Sequence, residues 1–191
     1  MRAAAWAIAA VLALPAPAVA GEVFLGAYAH DIDDEISIGH TAESGAQVIG
    51  GFRTERIDAL SFIGRPQAHV MGAVNTAGGI NYAAAGVSWR FGDTLYVRPG
   101  IGVAVHSGEV DLPSPFEPGI TVAEQKLRLQ RNDLDLGSRV LAQLELAVGW
   151  QATERLGIEL SWLHLSHGQL FGEQNPGLGE VGVRAIYRFG P

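Results

Sequence analysis

VLAQLELAVGWQATERLGIELSWLHLS, residues 140–166, carries one pattern on both sides of a polar break. Val140, Ala142, Leu144, Leu146, Val148 and Trp150 fall on one parity, with Gln143, Glu145 and Gly149 on the other and Leu141 as the exception. After Gln151 to Glu154 the alternation resumes with Leu156, Ile158, Leu160 and Trp162, and Glu159 and Ser161 lie behind them. A period of two over this length predicts β-strands with one apolar face. A few polar residues between them predict an antiparallel hairpin. The apolar parity ends on His164 and Ser166. A polar pair on an apolar stripe is costly to place.

The same period runs outward from there. Residues 82–91 alternate Ala83, Ala85, Val87, Trp89 and Phe91 against Tyr82, Ala84, Gly86, Ser88 and Arg90. Gly92-Asp93 marks a turn. Residues 95–106 set Leu95, Val97, Pro99, Ile101, Val103 and Val105 against Tyr96, Arg98, Gly100, Gly102, Ala104 and His106. A last strand sets Val181, Val183, Ala185, Tyr187 and Phe189 against Gly182, Arg184, Ile186 and Arg188. Weaker strands are read at residues 22–29, 47–54 and 66–74. The total is about eight, an even number suited to a closed membrane barrel. Short turns alternate with long segments at residues 31–46 and 107–137, as in barrels with short periplasmic turns and long outer loops.

Two barrels fit an alternating pattern, and they differ in which face is outside. A soluble carrier hides its apolar face. Here Arg98, Arg184, Arg188, Glu145 and Glu159 lie on the glycine-rich face. Eight strands leave room for little more than side chains inside, and charges there survive by pairing. The aliphatic face has Trp89, Trp150, Tyr187 and Phe189 near strand ends, the pattern of a lipid band with aromatic girdles. The expectation is therefore an all-β, eight-stranded antiparallel transmembrane β-barrel, with apolar side chains outward.

Residues 1–20 read as a secretory signal peptide: Arg2, a short apolar run, then Ala18-Val19-Ala20 before Gly21. Residues 21–191 form a single outer-membrane barrel domain on this reading. There are no cysteines, so disulfides and thiolate metal sites are excluded. A net charge of −7 and almost no lysine argue against nucleic acid as a partner.

His164 and Ser166 should share the outer face, at the end that leads into a longer loop. A neutral imidazole can take a serine hydroxyl's proton and make it a nucleophile. Residues two apart on a strand have Cα atoms roughly 6.5–7 Å apart, so the side chains can meet. An outward serine at the bilayer edge would see lipid esters. The competing reading is a polar fringe where a strand leaves the bilayer.

His164-Leu165-Ser166-His167-Gly168, Asn175-Pro176-Gly177, Gly182-Val183-Arg184 and Tyr187-Arg188-Phe189 together resemble the C-terminal part of the PagL-type lipid A 3-O-deacylase (acyloxyacyl hydrolase) family. Tyr96 to Gly102, with Val105-His106-Ser107-Gly108, also looks familial. The resemblance implies an eight-stranded outer-membrane barrel that removes the ester-linked acyl chain at the 3-position of lipid A. It implies His164 as general base and Ser166 as nucleophile on the outer surface, with an acid completing the triad. Two positions depart from the family pattern. The Asn after the serine is His167 here, which leaves Gly168 and Asn175 as candidate oxyanion donors. The acid's usual place is Gly179; Glu180 is one residue later and should point inward by alternation. Glu180 is the first candidate acid, Glu173 the second, and pairing with an interior arginine is Glu180's other reading.

Lipid A within lipopolysaccharide is thus the expected substrate, in the outer membrane of a Gram-negative cell. No cofactor or metal is expected. The acidic run at residues 30–35 lacks the glycine and distal glutamate of a calcium loop and reads as a solvated outer loop. His69 and His106 read as hydrogen-bonded interior residues. A catalytically inactive barrel with a structural or adhesin-like role is the alternative function, and the sequence leaves monomer and homodimer open.

Overall fold

A computed structural model of the chain describes residues 20–32, 43–110, 118–129, 134–168 and 177–190. Residues 1–19 of the expected leader, residues 33–35 of the acidic run, Glu173 and Asn175 lie outside those residues. Eight strands follow in order: β1 (Gly21–Ala29), β2 (Ala46–Arg56), β3 (Gln67–Asn75), β4 (Tyr82–Ser88), β5 (Leu95–His106), β6 (Val140–Gln151), β7 (Leu156–Ser166) and β8 (Leu178–Phe189). Each pairs antiparallel with its chain neighbour, and β8 returns to β1 with Gly21 opposite Phe189, so the sheet closes. Closure leaves no unpaired strand edge for lipid to meet.

The wall has the polarity expected from the alternation. Leu25, Ile101, Leu146, Leu160 and Val183 are exposed on the outside, while Arg53, Arg98, Arg184, Glu145 and Glu159 are buried inside. This arrangement rules out the soluble carrier. Interior pairing is dense. Arg98 reaches Glu159 at 2.9 Å and Glu22 at 3.0 Å, and Arg53 reaches Glu145 at 3.0 Å. Arg184 binds Glu145 and lies 2.6 Å from Glu159. Arg53 and Glu22, on strands read as weak, are central to this network. The interior histidines behave as expected: His69 contacts Gln143 at 3.2 Å, and His106 contacts the Ser138 carbonyl at 2.6 Å.

Interior glycines make room for aromatic rings. A Cβ on Gly149 would stand 2.1 Å from the Tyr96 ring, and one on Gly182 would stand 2.3 Å from the Tyr28 ring. Gly149→Val is expected to lose about 1–3 kcal/mol through overpacking. A lower urea midpoint for unfolding from lipid vesicles would register that loss, and an unchanged midpoint would contradict it.

Three features depart from the sequence reading. The strand expected over residues 82–91 ends at Ser88. The Trp89 amide still donates to the Pro99 carbonyl at 2.9 Å, but proline has no N–H to return the bond. A 3-10 turn occupies Asp58–Ile63, and a helix, α1 (Val122–Leu129), lies in the connection between β5 and β6. Both chain ends of the barrel share a rim with connections 57–66, 89–94 and 152–155; the other strand ends, at Ala29, Ala46, Asn75, Tyr82, His106, Val140, Ser166 and Leu178, form the opposite rim.

Candidate active site

β7 reaches that opposite rim with Trp162, His164 and Ser166 on one parity. Leu163 and Leu165 are in the interior core, so their neighbours project from the outer side of the wall. The sequence dictates this placement, because each β7 residue inside has a luminal partner row. Glu159 and Ser161 are fully buried, and Leu163 faces Glu180 across the β7–β8 pair.

His164 is nonetheless only 1% exposed. The Trp162 ring stacks on its imidazole at 5.9 Å between centroids and 17° between planes. Alternation predicts which way the ring points, but it carries no signal for this cover. Ser166, the last β7 residue, is half-buried and lies opposite Ala142 of β6. On the β8 side His164 lies opposite Gly179, which adds no side chain to the row. Gly168 sits in an exposed turn with φ of 57°, two residues beyond Ser166. His167 is buried. The structure therefore places His164 and Ser166 on the same face of β7, with Gly168 just beyond.

Glu180 is placed elsewhere. It faces the lumen and is fully buried. Its carboxylate accepts the Tyr82 hydroxyl at 2.6 Å and lies 2.9 Å from His30 Nδ1. Alternation already aims it inward, and no bulge turns it. It is thus separated by the barrel wall from the side on which His164 projects, and it does not orient the His164 ring. Its partner is a histidine and a tyrosine, not the interior arginine considered from the sequence.

His30 also departs from its expected place. Read as the start of a solvated loop, it is buried instead, with Nε2 at 2.9 Å from Glu43. Burial opposes a charge on its ring, but the hydrogen bonds that the ring donates to Glu180 and Glu43, with the charges of those carboxylates, outweigh it and raise the pKa to about 9. A raised histidine pKa contributes to folding fully below about 6.5, and that contribution is lost as pH rises through about 9. Among the described residues, no group of three or more His, Cys, Asp or Glu could hold a metal ion.

A model of the family lipid A 3-O-deacylase (PagL) matches residues 64–188. Among solved structures, the crystal structure of the outer membrane enzyme PagL superposes with a TM-score of 0.56 at 16% identity, covering 89% of this chain and 99% of that one. The N-terminal β-barrel domain of Pseudomonas aeruginosa OprF gives 0.51 at 11% identity, with 88% and 99% covered. Neisserial surface protein A gives 0.51 at 12% identity, with 92% and 100% covered. At these identities the three structures speak for the barrel itself. A search of the curated proteins found no match.

Proposed function

The matched region takes in β3 to β8, so the chain belongs to the PagL family of lipid A 3-O-deacylases, and we propose that it acts in the outer membrane by a serine mechanism on the outer surface of the barrel. The observation that carries this reading is the shared outward parity of His164 and Ser166 at the rim opposite the chain ends. At that rim acyl esters of lipid A and water are both within reach.

The chemistry follows from the pair. The His164 imidazole takes the proton of Ser166 as the Oγ atom attacks the ester carbonyl. The negative charge that develops on the carbonyl oxygen needs donors, a role given to the Gly168 N–H and to Asn175. Collapse breaks the bond to the sugar 3-oxygen, which leaves with the proton held by His164. Water then attacks the acyl-serine, His164 takes its proton, and the fatty acid departs as Ser166 regains its hydrogen.

For the acid that steadies the imidazolium, we assign Glu173 over Glu180. Glu180 already serves His30 and Tyr82 on the luminal side, whereas Glu173 belongs to the connection that runs from Ser166 to β8. Orienting acids are helpful without being indispensable. Glu173→Gln is expected to slow turnover by about tenfold or more, measured as the rate of acyl release from purified lipid A. Full activity in this variant would remove the assignment.

The function itself is tested by expressing the chain, with its leader, in a Gram-negative host and weighing the lipid A. Loss of one hydroxyacyl chain from the 3-position is the expected result. Unchanged lipid A, with the barrel folded in the outer membrane, would favour the inactive scaffold that Gly179 at the family's usual acid position already hints at.

A further inference from the structure

On the luminal side, behind the His164 row, lies a set of titratable groups that ester hydrolysis does not use. His30 directly follows β1 at the site's rim. Its Nδ1 is 2.9 Å from Glu180 Oε1 and its Nε2 is 2.9 Å from Glu43 Oε2. The second oxygen of Glu180 accepts the Tyr82 hydroxyl at 2.6 Å, and Glu43 Oε2 also accepts the Ile80 N–H at 2.7 Å. An imidazole that serves two carboxylates must donate from both nitrogens, so the ring is a cation. It joins the end of β1, the approach to β2, β4 and the start of β8.

The start of β8 is also the backbone beside the reactive pair. Gly179, the residue before Glu180, lies opposite His164, and its carbonyl accepts the Ile32 N–H at 2.9 Å. Any slackening between β1 and β8 at this rim therefore reaches the strand on which His164 is registered.

We propose that His30 is a positioning residue for the deacylation: clamped between Glu43 and Glu180, its imidazolium holds the end of β1 and the start of β8 together and so fixes the backbone beside His164. The kinetic part rests on the deacylase reading; the mechanical part does not. Loss of one ring proton would set a lone pair against a carboxylate and open one side of the clamp. The groups facing the ring are Glu180 from β8, Glu43 before β2 and the adjacent Asp31, with Tyr82 of β4 behind Glu180 and Tyr28 within electrostatic range of Tyr82. The ring's raised pKa keeps the clamp closed through neutral pH and releases it as pH passes about 9.

The test compares the full mature chain with His30→Gln in detergent micelles. Glutamine carries both of its donors on one nitrogen and an acceptor on the other side, so it cannot donate to carboxylates held at the two separate ring positions, and it does not titrate. Two readouts are taken on the same samples. At pH 7, amide exchange over residues 178–182 is expected to rise by about tenfold in the variant while β5 and β6 stay protected. In lipid A deacylation, kcat is expected to fall by about tenfold with KM within twofold, and an alkaline fall in kcat near pH 9 should vanish. Unchanged exchange over 178–182 overturns the clamp. Faster exchange with wild-type kcat and pH profile overturns the positioning role. A wild type that leaves lipid A intact defeats the deacylase reading, and exchange alone then decides the clamp. Should His30→Gln not fold, Glu43→Gln removes one arm at a partly exposed site and is expected to move both readouts in the same direction.

Discussion

Ser166→Ala is expected to lower lipid A deacylation by at least about a thousandfold while the barrel still folds. Without the hydroxyl there is no acyl-serine, and what survives is catalysis by binding and by oxyanion donors. His164→Ala should cost about as much, because a serine without its base is a weak nucleophile at neutral pH. The double variant should be no slower than the slower single one, since residues that act as a unit are grossly non-additive. Folding must be checked separately for each. Ser166 is half-buried at a strand end, so its hydroxyl is removed at little structural cost. His164 is buried against Trp162, so its truncation also leaves a cavity. Heat-modifiable gel migration reports whether each barrel closed. A Ser166→Ala protein within tenfold of wild type would end the serine mechanism.

Much of this site was legible in the sequence because a strand has only two faces. Once residues 156–162 set the apolar stripe outward, His164 and Ser166 had to follow, and Glu180 had to turn away from them. What alternation cannot carry is distance along the barrel axis and the identity of luminal partners. Nothing local pairs Glu180 with His30, which is separated from it by almost the whole chain and meets it only because β8 closes on β1. For the same reason the sequence groups His30 with the acidic residues that follow it. The cover over His164 is equally invisible to periodicity, since an outward residue can be buried by whatever lies against the wall.

The interior shows the same division. Arg98, Arg184, Glu145 and Glu159 stood out because their strands alternate cleanly. Arg53 and Glu22 sit on glycine-rich strands whose faces are hard to assign, and they emerged only from the register. The connections were least legible. Helix α1 is too short to show a period, and the 3-10 turn at Asp58–Ile63 places Phe62 and Ile63 in the open, against the expectation that exposed connections are polar.

Glu159→Leu is expected to cost about 3–5 kcal/mol, the penalty for stranding buried charge, and with it much of the folded yield of a barrel whose whole stability is on the order of 5–15 kcal/mol. Glu159 is the node of the interior. Its Oε1 accepts the Tyr96 hydroxyl and Arg98 Nε, both at 2.9 Å, and its Oε2 accepts Arg184 Nε at 2.6 Å and Arg53 at 3.5 Å. Three arginines, Arg53, Arg98 and Arg184, are balanced there by three glutamates, Glu22, Glu145 and Glu159. Removing one carboxylate leaves three guanidinium groups to share two. Arg90 and Arg188, which also lean on Glu22, make that excess worse. Removing Arg184 alone strands charge of the opposite sign. The double change Glu159→Leu with Arg184→Leu restores the balance, since Arg53 keeps Glu145 at 3.0 Å and Arg98 keeps Glu22 at 3.0 Å. The double variant should therefore be more stable than the sum of the two single losses predicts, by about 1–3 kcal/mol. Urea titrations of the four proteins in lipid vesicles measure that difference directly. Strict additivity, or a Glu159→Leu protein as stable as wild type, would mean that the lumen tolerates its charges singly and that this network is not what holds the barrel's centre.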